Sequence, residues 1–355
     1  ILKEIDVQHP AAKMMVEIAK TLDNEVGDGT TSSVVFGGAL LAKAEELLKK
    51  DVHSTVIIDG YQAASEKTLE ILSEIAQKIQ PDDKESLLKI AKTSMQSKLI
   101  SEDSGPISKV VVEAILKITT KKAEKYDVDL DNIKVEKKAG ASIQDTALIK
   151  GIVLDKEVVH SGMPTKIEKA KIALVNAALE VEKTEMSSEI RISDPSQMQM
   201  FLEEENRMLK TMVEKIHGVG ANVLLCQKGI DDIAQHYLAK HGILAIRRIK
   251  ESDMTKLAKA TGGRVTTNLD DLSEKELGSA DLVIQKKVES DKWVFVEGCK
   301  NPQSVTILIR GGSQRVVDEA DRSIHDALMV VKDVIEKPEI VAGGGAPEAF
   351  VAAQL

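Results

Sequence analysis

Hydrophobic residues in the first third of the chain recur every three or four positions, which is the spacing of one face of an α-helix. The pattern predicts helices at 11–21, 40–48, 61–79, 87–95 and 107–118. A polar stretch from Gln96 to Ser104 predicts a loop between the last two. We therefore expect the residues up to about Thr120 to form a helical bundle.

The pattern changes after Lys121, where short runs of β-branched residues begin to alternate with helical stretches. Strands are predicted at 133–135, 149–154, 172–175, 222–226, 243–246, 264–266 and 305–309, and helices at 194–217, 230–240, 253–260 and 315–335. A helical beginning and a helical end therefore flank an α/β insert. This order predicts an outer domain that is discontinuous in sequence.

Length and composition narrow the class of protein. The 355 residues favour two or three domains, and 43% hydrophobic with 30% charged residues is typical of a globular protein. No uninterrupted apolar stretch approaches the roughly 20 residues of a membrane span, which excludes a transmembrane protein at this stage. A net charge of −9 and only 2% aromatic residues disfavour nucleic-acid binding.

Cysteine and histidine positions give little support to metal or nucleophilic chemistry. Cys226 and Cys299 stand alone, so we expect neither a disulfide framework nor a zinc knuckle, and a reducing compartment. His236 and His241 are five residues apart, whereas two zinc ligands on one helical face are four apart. The chain opens on Ile1 without a methionine and stops within an apolar run, so we expect both ends to continue in a longer protein.

The most informative local segment lies between two predicted helices and reads Gly27-Asp28-Gly29-Thr30-Thr31-Ser32-Ser33. Its glycines and hydroxyl side chains precede a helix N-terminus, where free N–H groups favour an anion. An aspartate among them would repel a bare phosphate, so the composition indicates phosphate together with Mg²⁺. An ordinary helix N-cap is an equally good interpretation. The segment matches neither the P-loop nor the dinucleotide-binding pattern.

Two further segments also allow two interpretations. The triplet at 343–345 before Pro347 is most simply a turn into a helix. The helix from Asp194 carries a methionine-rich stripe: Met198, Phe201, Leu202, Met208, Leu209, Met212, Val213 and Ile216. Such a stripe suits an adaptable contact surface, although the pattern alone favours a helix packed on its own sheet.

Taken in order, five motifs resemble those of a group II chaperonin subunit of the archaeal thermosome type: HPAAK at 9–13, VGDGTT at 26–31, QKGIDD at 227–232, IRGG at 309–312 and GGG at 343–345. The resemblance implies an α/β multidomain fold. It has a discontinuous helical equatorial domain at 1–80 and 341–355, an α+β intermediate domain at 81–150 and 302–340, and an α/β apical domain at 151–301 with a helical lid protrusion near 194–217.

The same resemblance implies a function. The subunit would be an ATP-dependent molecular chaperone, a chaperonin ATPase that encloses and folds non-native proteins in a double-ring cavity while Mg-ATP hydrolysis drives lid closure. Its partners would be non-native client proteins and other copies or paralogues of the subunit, with no nucleic acid and no membrane, in the cytoplasm.

The resemblance also assigns site residues. ATP and Mg²⁺ are the implied cofactors, with Asp28 as the metal ligand and Asp326 as the catalytic residue that orients the attacking water. The implied nucleotide contacts are Gly27, Gly29, Thr30, Thr31, Ser32, Gly344 and the γ-phosphate sensor Lys98. Ser32 stands where the family usually has a third threonine, and both residues offer a hydroxyl group.

Client binding and closure follow from the same comparison. The helices at 230–240 and 253–260 would offer Ile233, Tyr237, Leu238 and Leu257 to client proteins. If Asp326 and Asp28 lie on different domains, hydrolysis would require the intermediate domain to close onto the nucleotide.

The family's upstream and downstream equatorial portions are absent from this stretch of sequence, so we do not expect it to bind ATP or to assemble into rings by itself. A passive aggregation-preventing binder is the competing hypothesis, whereas a small-molecule ATP-dependent enzyme lacks a substrate motif.

Overall fold

The computed structural model describes residues 7–96, 98, 100–122, 125–181, 195–301 and 304–355, with the backbone alone at 195–198. The chain divides into two compact units. The first combines Ile1–Val128 with Asp318–Leu355, and the second is Asp129–Val317. The first unit is therefore discontinuous in sequence, as the alternation of helical and α/β patterns predicted. The three-domain boundaries stay a prediction.

The first unit is mainly helical. Its helices are α1 (Pro10–Glu25), α2 (Thr30–Leu48), α3 (Ser54–Ile75), α4 (Lys84–Met95) and α5 (Ser104–Ile118), followed near the end of the chain by α9 (Gln314–Glu336, in this unit from Asp318) and α10 (Ala346–Gln354). Two strand pairs complete it: β1 (Gln77–Lys78) with β14 (Glu339–Ile340), and β2 (Thr120–Lys122) with β3 (Lys125–Asp127). The helix predicted to reach residue 79 ends at Ile75, because the next residues pair with β14.

Apolar packing in the first unit is uneven. Each of α4, α5 and α9 buries a full apolar stripe, including Leu87, Val111 and Ile324. In contrast, α2 buries no residue completely, and Phe36 and Leu41 on it are exposed. The predicted helices are thus present, but α1 to α3 do not close a core of their own as the predicted bundle would.

A mixed sheet forms the centre of the second unit. Among the described residues, seven strands belong to it: β6 (Gly151–Leu154), β7 (Lys166–Val175), β8 (Val223–Cys226), β9 (Leu244–Ile246), β10 (Val265–Thr266), β11 (Gly278–Val288) and β12 (Asp291–Cys299). Their order is β6-β12-β11-β7-β8-β9, with β10 beside the end of β7. Because β7, β8 and β9 run parallel, helices must connect them across the faces of the sheet.

Helices cover both faces of this sheet, which makes the second unit an α/β structure. They are α6 (Pro195–Gly218), α7 (Asp232–Lys240) and α8 (Glu251–Thr261). Alternate residues of β7 point to opposite faces, so Ile172 and Leu174 pack with α8 residues, while Ala173 and Val175 pack with residues of α6 and α7. The α/β class predicted from the alternating pattern is confirmed for this unit.

A smaller three-stranded sheet consists of β4 (Ile133–Ala139), β13 (Val305–Gly311) and β5 (Ala147–Ile149), with β13 in the middle. The single strand predicted at 149–154 is wrong, since Lys150 separates β5 in this sheet from β6 in the large one. The long β11–β12 hairpin was not predicted, because lysines and acidic residues near its turn interrupt the apolar alternation.

In the part of the chain that the structure describes, no helix combines the length and the apolar character that a membrane crossing requires. The predicted helix start at Asp194 lies outside the described residues. From Pro195 onward the helix is present, and it ends at Gly218.

Candidate functional site

The loop between α1 and α2 is fixed in place by a glycine. Gly27 is buried and has φ +78°, a left-handed conformation that suits glycine. A Cβ at this position would lie 2.2 Å from the Cβ of Met329, which belongs to α9. The absence of a side chain therefore lets the loop pack directly against the helix that carries Asp326.

Glycine occupies the N-cap position of α2. It is Gly29, with φ 81°, and among the described residues no side-chain cap hydrogen bond is present at this end of the helix. Thr30 is half-buried, whereas Thr31 and Ser32 expose their side chains. The ordinary N-cap interpretation of this segment is therefore wrong, and the first-turn N–H groups keep their capacity to bind an anion.

The carboxylate of Asp28 is held by two donors immediately before this helix. Its Oδ1 accepts a hydrogen bond from the backbone N–H of Gly29 at 2.8 Å, and its Oδ2 accepts one from the hydroxyl of Ser94 at 2.9 Å. The Nζ of Lys98 lies 3.8 Å from the same Oδ2. Asp28 thus faces two polar groups that come from the end of α4 and the turn after it.

Lys98 also contacts the second acidic residue of this site, Asp326. Its Nζ donates to Oδ2 of Asp326 at 2.5 Å, and both side chains are largely buried. Burial raises the pKa of Asp326, while the hydrogen bond and the positive charge of Lys98 oppose that rise. The net direction is upward, so desolvation outweighs the ion pair.

The structure therefore brings Asp28, Lys98 and Asp326 together within one compact unit, beside the start of α2. It does not do the same for Gly344, which lies exposed before α10. No hydrogen bond or ion pair among the described residues joins Gly344 to the other three. Asp28 and Asp326 share a lysine in this structure, and the coupling of hydrolysis to domain closure stays a prediction.

The donor set fits a magnesium-bound nucleoside polyphosphate better than a metal held by protein alone. Among the described residues, no group of three or more His, Cys, Asp or Glu side chains could hold a metal ion. Mg²⁺ in nucleotide sites commonly takes one or two carboxylates, with phosphate oxygens and water completing its coordination. Asp28 can supply the carboxylate, and the uncapped first turn of α2 with Thr30, Thr31 and Ser32 can supply phosphate donors.

Sequence reasoning missed two residues of this site. Ser94 contacts Asp28, and Met329 covers Gly27. The signal for Ser94 was its spacing, since it precedes Lys98 by four residues, or about one helical turn. The prediction of a loop from Gln96 hid this relationship, although the N–H of Lys98 bonds to the carbonyl oxygen of Met95 and continues the turn.

Two of the four predicted client-binding residues in the second unit are buried, and the role of the other two stays a prediction. Leu238 and Leu257 are completely buried in the core, so the prediction that they face client proteins is wrong. Both leucine side chains pack with residues of the large sheet. Helical spacing identified an apolar face on each helix, but it did not show that this face packs on the sheet. Ile233 is exposed and Tyr237 is half-buried.

The methionine-rich helix α6 divides into two halves. Toward its end, Leu209, Val213 and Ile216 are buried against the large sheet unit. Nearer its start, large apolar side chains are exposed, namely Met200, Phe201, Leu202 and Met208. The packed-helix interpretation is therefore confirmed for the second half, whereas a contact surface on the exposed half stays a prediction. Met198 has no described side chain.

Comparison with known proteins identifies the family. The chain is 58% identical over its whole length to a thermosome subunit of Methanopyrus kandleri and 56% identical to a thermosome subunit alpha of Archaeoglobus fulgidus. It spans 65% of the length of each of these relatives. An open-state monomer of a group II chaperonin from Methanococcoides burtonii is similar in structure, with 42% identity, a TM-score of 0.69, and coverage of 93% of this chain and 76% of that one.

A model of the TCP-1/cpn60 chaperonin family matches residues 1–355. The likeness therefore extends over every motif quoted above and over both compact units. With identities of 54–58% to several archaeal thermosome subunits, the chain belongs to the TCP-1/cpn60 chaperonin family, as a group II subunit of the archaeal type.

Proposed function

We propose that a full-length subunit containing this chain is a chaperonin ATPase, which folds non-native proteins in a ring cavity at the expense of Mg-ATP. The observation that carries the proposal is the position of Lys98 between two carboxylates, 2.5 Å from Asp326 and 3.8 Å from Asp28, beside an uncapped helix N-terminus. Phosphoryl transfer to water needs these parts: charge neutralisation, phosphate donors and a carboxylate near the water.

Each residue has a role that its surroundings support. Asp28 holds the metal, since its carboxylate lies immediately before the start of α2. The first turn of α2, including Thr30 and Thr31, binds the phosphates through backbone N–H and hydroxyl groups. When bound, Mg²⁺ would neutralise charge on the phosphates and on the leaving group.

The other two charged residues act on the terminal phosphate and the water. Lys98 donates to the γ-phosphate and stabilises the charge that develops in the transition state. Asp326 orients the attacking water and accepts its proton, and its raised pKa is the direction that favours proton acceptance near neutral pH. No covalent intermediate on the protein is required.

The remaining parts of the proposal rest on the family. Gly27 and Gly29 shape the loop around the phosphates, Ser32 adds a hydroxyl group, and Gly344 contacts the nucleotide. The subunit would have equatorial, intermediate and apical domains at the boundaries given above and would assemble with copies or paralogues into stacked rings. It would act in the cytoplasm on client proteins, without nucleic acid or membrane.

The exposed first half of α6 supports a role in lid closure and client contact. Its apolar side chains lie on a helix whose second half is anchored in the core. Exposed flexible methionines can adapt to different apolar partners. We propose that this half forms the helical lid protrusion.

Refolding of a denatured client by the full-length subunit tests the proposal. We expect recovery of client activity with Mg-ATP and much less with a non-hydrolysable analogue. If suppression of aggregation is the same with and without ATP, and no client activity is recovered, the subunit is a passive binder and the proposal is wrong.

A further inference from the structure

Ser94 occupies a position that the proposed mechanism has not yet used. It lies in the last turn of α4, half-buried, and its hydroxyl donates to Oδ2 of Asp28 at 2.9 Å. The contact joins residues that are 66 positions apart in sequence. It is therefore a tertiary contact and not a local turn.

The two oxygens of Asp28 have different surroundings. Oδ1 accepts a local hydrogen bond from the N–H of Gly29, which belongs to the same loop. Oδ2 faces Ser94 at 2.9 Å and Lys98 at 3.8 Å. Without Ser94, no short hydrogen bond in the described structure fixes the rotation of this carboxylate relative to α4.

We propose that Ser94 is a positioning residue, which orients the Asp28 carboxylate so that its oxygens are presented to Mg²⁺ bound with the nucleotide. The inference rests on the proposed function, because it requires that Asp28 be the metal ligand. Groups that hydrogen-bond a metal ligand fix its orientation, and their loss commonly weakens metal binding about 10- to 100-fold. Ser94 acts through Asp28 and does not itself contact the phosphates.

Metal binding by the full-length subunit tests the inference. The probe is Mn²⁺ in the presence of ADP, and electron paramagnetic resonance measures how much of it is bound. We expect Ser94→Ala to raise the Mn²⁺ dissociation constant about tenfold, and Ser94→Thr, which keeps a hydroxyl group, to restore most of the affinity. If Ser94→Ala does not fold, Ser94→Cys replaces it, since a thiol is a weak donor of similar size.

The matched control is the neighbouring hydroxyl. Thr93 is exposed, and its Oγ1 bonds within its own helix to the carbonyl oxygen of Lys89 at 2.8 Å. Thr93→Val should leave the Mn²⁺ affinity unchanged. A second readout is the affinity of Ser94→Ala for ADP in the presence of EDTA, which removes the metal. If Ser94 acts only through Asp28, this metal-free affinity should equal that of the wild type.

Three results would overturn the inference: wild-type Mn²⁺ affinity in Ser94→Ala, equal losses in Ser94→Ala and Ser94→Thr, or weaker metal-free ADP binding in Ser94→Ala. The last would mean that Ser94 contacts the phosphates directly. Failure of the wild-type subunit to bind Mn²⁺ with ADP would instead contradict the proposed function, so the two failures are distinguishable.

Discussion

The ammonium group of Lys98 donates a hydrogen bond to Asp326 at 2.5 Å while it lies 3.8 Å from Asp28. One ammonium group thus lies near two carboxylates whose residues are almost three hundred positions apart in sequence. The charge of Lys98 opposes the rise that burial imposes on the pKa of Asp326, although burial outweighs it. Lys98 therefore connects the residue proposed to hold the metal with the residue proposed to orient the water.

Replacement of Lys98 should impair hydrolysis strongly. Lys98→Ala removes the donor proposed to act on the γ-phosphate, and loss of one such donor commonly lowers turnover about 100- to 1000-fold. The measurement is steady-state ATP hydrolysis by the full-length subunit. Lys92→Ala, an exposed lysine of α4, is the control and should keep wild-type turnover. Equal turnover in both variants would contradict the role of Lys98.

Gly27 should resist substitution even by alanine. Gly27→Ala places a Cβ 2.2 Å from that of Met329 and imposes a left-handed φ on a residue with a side chain. We expect a loss of about 1–3 kcal/mol in the free energy of unfolding. Chemical denaturation measures this loss.

Gly60 offers the matched control for that substitution. It lies within α3 with open space around its Cβ position, so Gly60→Ala should stabilise the helix by about 0.5–1 kcal/mol. Partial rescue of Gly27→Ala by Met329→Gly, which removes the Cβ that lies 2.2 Å away, would show that the close approach contributes to the cost. Equal effects of the two glycine substitutions would refute the packing argument.

The helices and the strands with strong periodicity could be predicted from the sequence, because apolar residues recur along each at a fixed spacing. The β11–β12 hairpin escaped prediction, since charged residues around Glu289 interrupt its alternation. Leu238 and Leu257 show a second limit: spacing reveals an apolar face but not whether it packs on a sheet or meets a partner. Only the tertiary structure decides that question.

The candidate site was predictable in its residue types but not in its contacts. Asp28, Lys98 and Asp326 were named because their motifs resemble those of a family. No periodicity indicates that α4 and α9 meet the loop before α2. The hydrogen bond from Ser94 depends on that long-range packing, which explains why sequence reasoning overlooked it.

A buried lysine stabilises the second unit. The Nζ of Lys134 donates to the carbonyl oxygen of Val153 at 2.7 Å and lies 2.8 Å from Glu136 and 2.9 Å from Asp253. Burial raises the pKa of Glu136 despite the neighbouring lysine, so this carboxylate already carries a desolvation cost. Lys134→Met would leave the buried Asp253 and the half-buried Glu136 without this cation, at a cost of about 3–5 kcal/mol in unfolding free energy.

An exposed ion pair provides the comparison for Lys134. Lys166 pairs with Glu168 at 2.6 Å on the surface of the same unit, and Lys166→Met should change the free energy of unfolding by less than about 1 kcal/mol. Denaturant titration of both variants measures the difference. If both variants lose less than about 1 kcal/mol in unfolding free energy, Lys134 is not needed to neutralise the carboxylates beside it.

Asp333 on α9 should make stability depend on pH. Burial raises its pKa, and the negative charge of Glu336 adds to the rise while Lys332 opposes it. The folded state therefore binds the carboxyl proton of Asp333 more tightly than the unfolded state does. As pH rises from the ordinary aspartate pKa through the raised pKa of the folded state, the free energy of unfolding falls. Asp333→Asn removes this loss and should raise the melting temperature more at pH 7 than at pH 4. An equal shift at both values would contradict the assignment.

Hydrolysis of Mg-ATP by Asp326→Asn in the full-length subunit tests the central claim most directly. The amide keeps the shape of the side chain but cannot accept the proton, so turnover should fall about 100-fold or more while nucleotide binding persists. Asp333→Asn on the same helix should keep wild-type turnover. Undiminished hydrolysis by Asp326→Asn would contradict the account.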